Sequence, residues 1–128
     1  MATILVIDDE ESIQRLCQYV LERAGYRVLS ANSGKQGLRI LEHVDVDLCI
    51  VDIFMPEMDG LELIPFLRKR RPAGKLIVIS GKTGVMDYLD VAMELGANAV
   101  LKKPFSLQGL LDAVSSQLKP KRARQRSD

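Results

Sequence analysis

The 128 residues suffice for one domain and leave little room for a second, and 47% hydrophobic with 27% charged content is an ordinary globular balance. A formal net charge of +1 excludes a global field that would favour nucleic acid or an anionic membrane as the main partner. No stretch approaches the roughly 18 apolar residues of a membrane span, and no cleavable leader opens the chain, so a cytoplasmic protein is expected.

Ile4-Leu5-Val6-Ile7 is a short, continuous, β-branched-rich run of strand length. Ile13, Leu16, Cys17, Val20 and Leu21 then repeat at helical spacing, and Gly25 is placed to stop that helix. Tyr26 to Leu29 is a weaker strand, expected nearer a sheet edge, and Ser33 can cap a helix reaching about His43. Leu48-Cys49-Ile50-Val51 repeats the first kind of run. Leu61 to Arg70 follows as a helix that Pro65 should force to start late or kink. Leu76-Ile77-Val78-Ile79 is the third strong strand, and Met86, Leu89 and Met93 make a helical stripe ended by Gly96. Ala99 to Leu101 is a second weak strand. Leu107, Leu110, Leu111, Val114 and Leu118 mark the last helix. Beyond it, Lys119, Lys121, Arg122, Arg124 and Arg126 crowd a segment without apolar periodicity, read as a disordered basic tail or linker remnant over 119–128.

Strands buried on both faces and alternating with helices predict an open, doubly wound α/β fold with a parallel sheet, occupying 1–118. Cys17 and Cys49 lie in apolar stretches without metal-ligand spacing, and read as small buried hydrophobes; a disulfide has no support.

In such a sheet, ligands bind outside the carboxyl ends of the strands. Asp8, Asp9 and Glu10 follow the first strand, Asp52 the third, Ser80 the fourth, and Lys102 and Lys103 the fifth. Crowded carboxylates repel, and magnesium relieves this while leaving positions for phosphate oxygens. An ionised Asp beside the cation can attack phosphorus, with a lysine and a hydroxyl neutralising and orienting the phosphoryl group. Each piece has a plainer reading: an acidic helix cap, turn residues after strands, a solvated Lys-Lys-Pro loop. Their shared position at the same end of successive strands favours the chemical one.

The chain resembles the receiver domains of two-component response regulators. The matching segments are Ile4 to Glu10, Asp52 to Gly60, Val78 to Gly81, Glu94 to Ala97, and Lys103-Pro104-Phe105. The resemblance implies a five-stranded sheet in the order 2-1-3-4-5 and phosphoryl transfer from a histidine kinase or phosphotransfer protein, with slow loss as inorganic phosphate. By the same resemblance Asp52 is the phosphoacceptor. Asp9 ligates magnesium directly and Asp8 through water, and the Phe54 backbone carbonyl adds a ligand. Ser80 hydrogen-bonds the phosphoryl group, Lys103 pairs with it, and Lys103-Pro104 is often cis in the family. Met55, Pro56, Asp59 and Gly60 shape the adjoining loop. The surface of the last two helices and fifth strand is then the expected site of a downstream target, a fused output domain or a homodimer partner.

One position departs from the family. Val100 stands where a Tyr or Phe usually rotates with the Ser/Thr, so the usual readout from Ser80 is not expected, and Tyr88 is not marked as a substitute. Bulky Phe54, with Lys82, flanks the path of attacking water and should slow autodephosphorylation. A haloacid-dehalogenase-like phosphohydrolase needs a second Asp where Phe54 stands. A phosphorylation-independent scaffold typically lacks the acids retained here. Nucleic-acid binding would rest on the tail alone, and His43 lies away from the acid edge.

Overall fold

The computed structural model describes residues 1–81 and 88–118, with residue 89 given by its backbone alone. Strands and helices alternate throughout: β1 (Thr3–Ile7), α1 (Glu11–Arg23), β2 (Arg27–Ala31), α2 (Gly34–Leu41), β3 (Leu48–Asp52), α3 (Gly60–Arg70), β4 (Lys75–Ser80), α4 (Tyr88–Leu95), β5 (Ala99–Lys102) and α5 (Leu107–Gln117). The strands form one parallel sheet in the order β2-β1-β3-β4-β5, so the two weak strands do lie at the edges.

The apolar runs are continuous because helices cover both faces of the sheet. Ile4, Val6, Leu48, Ile50, Ile77 and Ile79 face Cys17, Val20 and Leu21 of α1 and Leu110 and Val114 of α5. Their neighbours Leu5, Ile7, Cys49, Val51, Leu76 and Val78 point the other way, towards Leu63, Ile64 and Leu67 of α3 and Ala92 of α4. Cys17 and Cys49 therefore sit on opposite faces, and both are free and buried. Burial pushes each thiol up to about 12, which leaves them inert hydrophobes. Among the described residues no helix is long and apolar enough to cross a membrane.

Three helices differ from the sequence expectation in part. α3 does not start late: Asp59 Oδ1 accepts the Glu62 N–H at 2.8 Å, Glu62 Oε1 accepts the Asp59 N–H at 3.1 Å, and this capping box starts the helix at Gly60. Pro65 is then tolerated inside it, where the missing N–H deprives the Leu61 carbonyl of its usual donor. Among the described side chains of α4, which exclude that of Leu89, the buried one is Ala92, while Met93 is 45% exposed. The small alanine lets the helix backbone come close to the sheet. Leu107 of α5 is likewise outside the core. Gly25 and Gly96 do end α1 and α4, with φ of 100° and 127°. Met86, Lys82, the start of the fourth helix near Thr83 and the basic segment 119–128 lie outside the described residues.

Gly60 is where α3 presses on the end of β3. A Cβ there would collide with the Asp52 carbonyl oxygen and lie 2.8 Å from the Ile53 Cα, both unyielding backbone atoms. Gly60→Ala is expected to cost about 1–3 kcal/mol in urea unfolding, and a variant as stable as the parent would show that this approach is not tight.

Candidate functional site

All five strands point their carboxyl ends to one edge, and the registers bring specific residues together there. Asp8 directly follows β1, Asp52 ends β3, Ser80 ends β4, and Lys103 directly follows β5. Ser80 pairs in register with Lys102, and its carbonyl accepts the Lys103 N–H at 2.8 Å. Lys103 thereby aims its side chain back across the sheet end. The Lys103–Pro104 peptide bond is cis.

The Lys103 Nζ lies 2.7 Å from Glu10 Oε1, 3.3 Å from Asp52 Oδ2 and 3.4 Å from Asp8 Oδ2. Asp8, Asp52 and Ser80 are buried, while Glu10 reaches in from the exposed rim. Backbone contacts hold the acids in place. Asp8 Oδ1 accepts the Glu10 N–H at 2.8 Å and Asp52 Oδ1 accepts the Phe54 N–H at 3.3 Å. The Gln14 side-chain amide donates to the carbonyls of Asp8 and Ala31 at 2.6 and 3.2 Å, tying α1 to the ends of β1 and β2.

Charge is unbalanced here. Burial raises the Asp8 carboxyl to about 6, and the Asp52 charge adds to this against the Glu10 amide and Lys103. Burial also raises Asp52, opposed by Lys103 and the Phe54 amide, with the nearby Asp9 charge pushing the same way as burial. For Lys103 burial alone would lower the ammonium's pKa, but Glu10, Asp52 and Asp8 reverse it and hold the proton firmly.

One ammonium cannot neutralise three carboxylates. Single oxygens of Asp8, Glu10 and Asp52 lie within 4.8 Å of one another, and the buried Asp8 Oδ2 has no hydrogen-bond partner among the described residues beyond its 3.4 Å ion pair with Lys103. A hard divalent cation that prefers oxygen suits this donor set.

Of the residues assigned from the sequence, Asp8, Asp52, Ser80 and Lys103 meet at the sheet end. Asp9 is exposed and lies outside the 4.8 Å carboxylate group. Glu10, given no role from the sequence, is inside it; its only signal was membership of the acidic run. Gly81 packs against Lys103, whose Cδ would lie 3.3 Å from an added Cβ. Val100 sits on β5 opposite Val78, in the apolar layer that also receives Phe54 and Tyr88.

A sequence profile described as the response regulator receiver domain matches residues 4–115. The chain belongs to this family. The alkaline phosphatase synthesis transcriptional regulatory protein PhoP of Bacillus subtilis is 40% identical over 103 residues, covering 80% of this chain and 42% of that protein. The response regulator SaeR of Staphylococcus aureus is 33% identical over 118 residues, covering 92% and 51% respectively. This receiver domain thus spans about half the length of the curated relatives it matches. Among solved structures, a response regulator receiver domain protein from Clostridium thermocellum superposes with a TM-score of 0.87 at 34% identity, covering 96% of this chain and 98% of its own. The chemotaxis protein CheY4 of Vibrio cholerae gives 0.84 at 28% identity over 91% and 98%. The fold and family expected from the motifs are those found.

Without a cation, the raised Asp8 carboxyl favours the folded state fully below its ordinary 3.8, and this contribution is lost as pH rises through about 6. Asp8→Asn should therefore stabilise the magnesium-free receiver domain at neutral pH, on the order of 1–2 kcal/mol. Lys103 keeps Asp52 and Glu10 as partners in that variant. Urea unfolding in chelator measures it, and an Asn variant weaker than the parent would contradict the charge imbalance.

Proposed function

We propose that Asp52 is the phosphoacceptor of this receiver domain, taking a phosphoryl group from the phosphohistidine of a cognate kinase or phosphotransfer protein. The observation that carries the proposal is the buried Asp52 carboxylate facing the Lys103 ammonium at 3.3 Å, at the strand ends where Ser80 also lies.

An Asp52 carboxylate oxygen attacks phosphorus as the donor's N–P bond breaks, giving an acyl phosphate and returning the bond's electron pair to the donor imidazole. Lys103, already among carboxylates, pairs with the added phosphoryl oxygens. Ser80 donates its hydroxyl to one of them. Magnesium, when bound, offsets the charge of the approaching phosphate. Asp8 and Asp52 would hold it, the family pattern adds Asp9 and the Phe54 carbonyl, and Glu10, which lies in the same carboxylate group and is the lysine's resting partner, is a further oxygen donor. The protein turns over no substrate beyond its own acyl phosphate, which water removes as inorganic phosphate.

Phosphorylation is a local charge event that biases an element with two arrangements. The recipient of that change is a fused output domain, a separate target or a second copy, at the surface of α4, β5 and α5. A Bacillus relative named as a transcriptional regulatory protein supports a regulatory output.

Intact-protein mass after incubation with acetyl phosphate and magnesium should rise by one phosphate, about 80 Da. Asp52→Ala or added chelator should abolish the gain; an adduct that survives either would sink the proposal. Phe54→Asn should lose the phosphate faster than the parent, since a polar side chain there no longer screens the acyl phosphate from water; equal lifetimes would remove Phe54 from that role.

A further inference from the structure

Phe54 stands two residues beyond Asp52, and its N–H donates directly to the Asp52 carboxylate. Movement of the acceptor's carboxylate is therefore passed directly to the Phe54 main chain. The Phe54 ring meets the ring of Tyr88 edge-on, with centroids 5.1 Å apart and planes at 86°. Tyr88 is the first described residue of α4. This perpendicular arrangement is one that ring quadrupoles favour, so the pair holds a preferred mutual orientation and not just shared apolar area. Both rings are half-buried against the same layer as Val100. Val100 is too short and too stiff at χ1 to swing between two positions as an aromatic can.

The far end of α4 is anchored differently. Ala92 is fully buried against the sheet, and Gly96 abuts the Arg68 side chain of α3. A push on Tyr88 thus acts on α4 away from the C-terminal part that is held.

We infer that Tyr88 is a positioning residue that couples the acceptor loop to α4 through its edge-on contact with Phe54. The inference rests on Asp52 being the acceptor. Its aromatic character, and not merely its volume, carries the coupling, because a flexible aliphatic in its place would fill space without fixing the Phe54 ring.

Two readouts on the same proteins separate this coupling from the acceptor reading. Mass after acetyl phosphate and magnesium reports uptake. Amide chemical shifts of α4, recorded before and after adding magnesium and beryllofluoride, report transmission. Tyr88→Leu should take up phosphate as the parent does while its α4 shift changes collapse, and Tyr88→Phe should restore them. The spectrum of the unligated Leu variant shows that it is folded. Parental α4 shifts in a phosphorylated Tyr88→Leu protein, or their loss in Tyr88→Phe, would overturn the coupling alone. Absence of uptake in the parent would overturn the acceptor reading, and the coupling with it.

Discussion

The Lys103 ammonium stands within 3.4 Å of three carboxylates, two of them on buried residues. Taking charged groups out of water is costly unless they are paired, and here one cation serves three anions. Burial raises the Asp8 and Asp52 carboxyls, with the Asp52 charge adding at Asp8 and the Asp9 charge at Asp52, and the surplus negative charge makes the site receptive to a divalent cation. It also presets the lysine beside the oxygen to which a phosphoryl group would be added. The same charges that weaken the free protein are those that its switching chemistry needs.

The surrounding architecture serves to hold that arrangement. A parallel sheet gathers the ends of β1, β3, β4 and β5 at one edge, which an antiparallel sheet of the same sequence could not do. Gly60 lets α3 begin directly against the Asp52 main chain, and the Asp59–Glu62 capping box fixes that start. Gln14 bolts α1 beneath Asp8. Core layers on both faces, with Ile4, Leu5, Ile50 and Ile77 wholly buried, leave the strand ends little freedom. The Phe54–Tyr88 contact leads away from this rigid edge towards a helix, the sort of element that can shift.

Much of this was legible in the residues. The three apolar runs, Gly25, Ser33 and Gly96 placed most elements, because periodicity and caps are local signals. The run Asp8-Asp9-Glu10, Asp52, Ser80 and Lys103 pointed to the edge, because strand ends converge in any parallel sheet. What resisted sequence reading depends on contacts between elements. Glu10 joins the carboxylate group only because Lys103 reaches across the sheet to meet it. The late start that Pro65 suggests for α3 does not occur, because the Asp59–Glu62 capping box sets the start at Gly60. Ala92 in place of Met93 reflects how closely α4 approaches the sheet, which no stripe encodes. Tyr88 is a lone aromatic in the sequence and says nothing until Phe54 is seen beside it.

The most direct test of the charge imbalance is the thermal midpoint of the parent and of Asp8→Asn, with and without magnesium, at neutral pH and well below about 6, where Asp8 takes its proton. A cation that binds only the folded chain raises the midpoint by mass action. The account predicts a magnesium-dependent rise for the parent at neutral pH, reduced in acid and largely absent in the Asn variant. A parent indifferent to magnesium, or an Asn variant that responds fully, would contradict it.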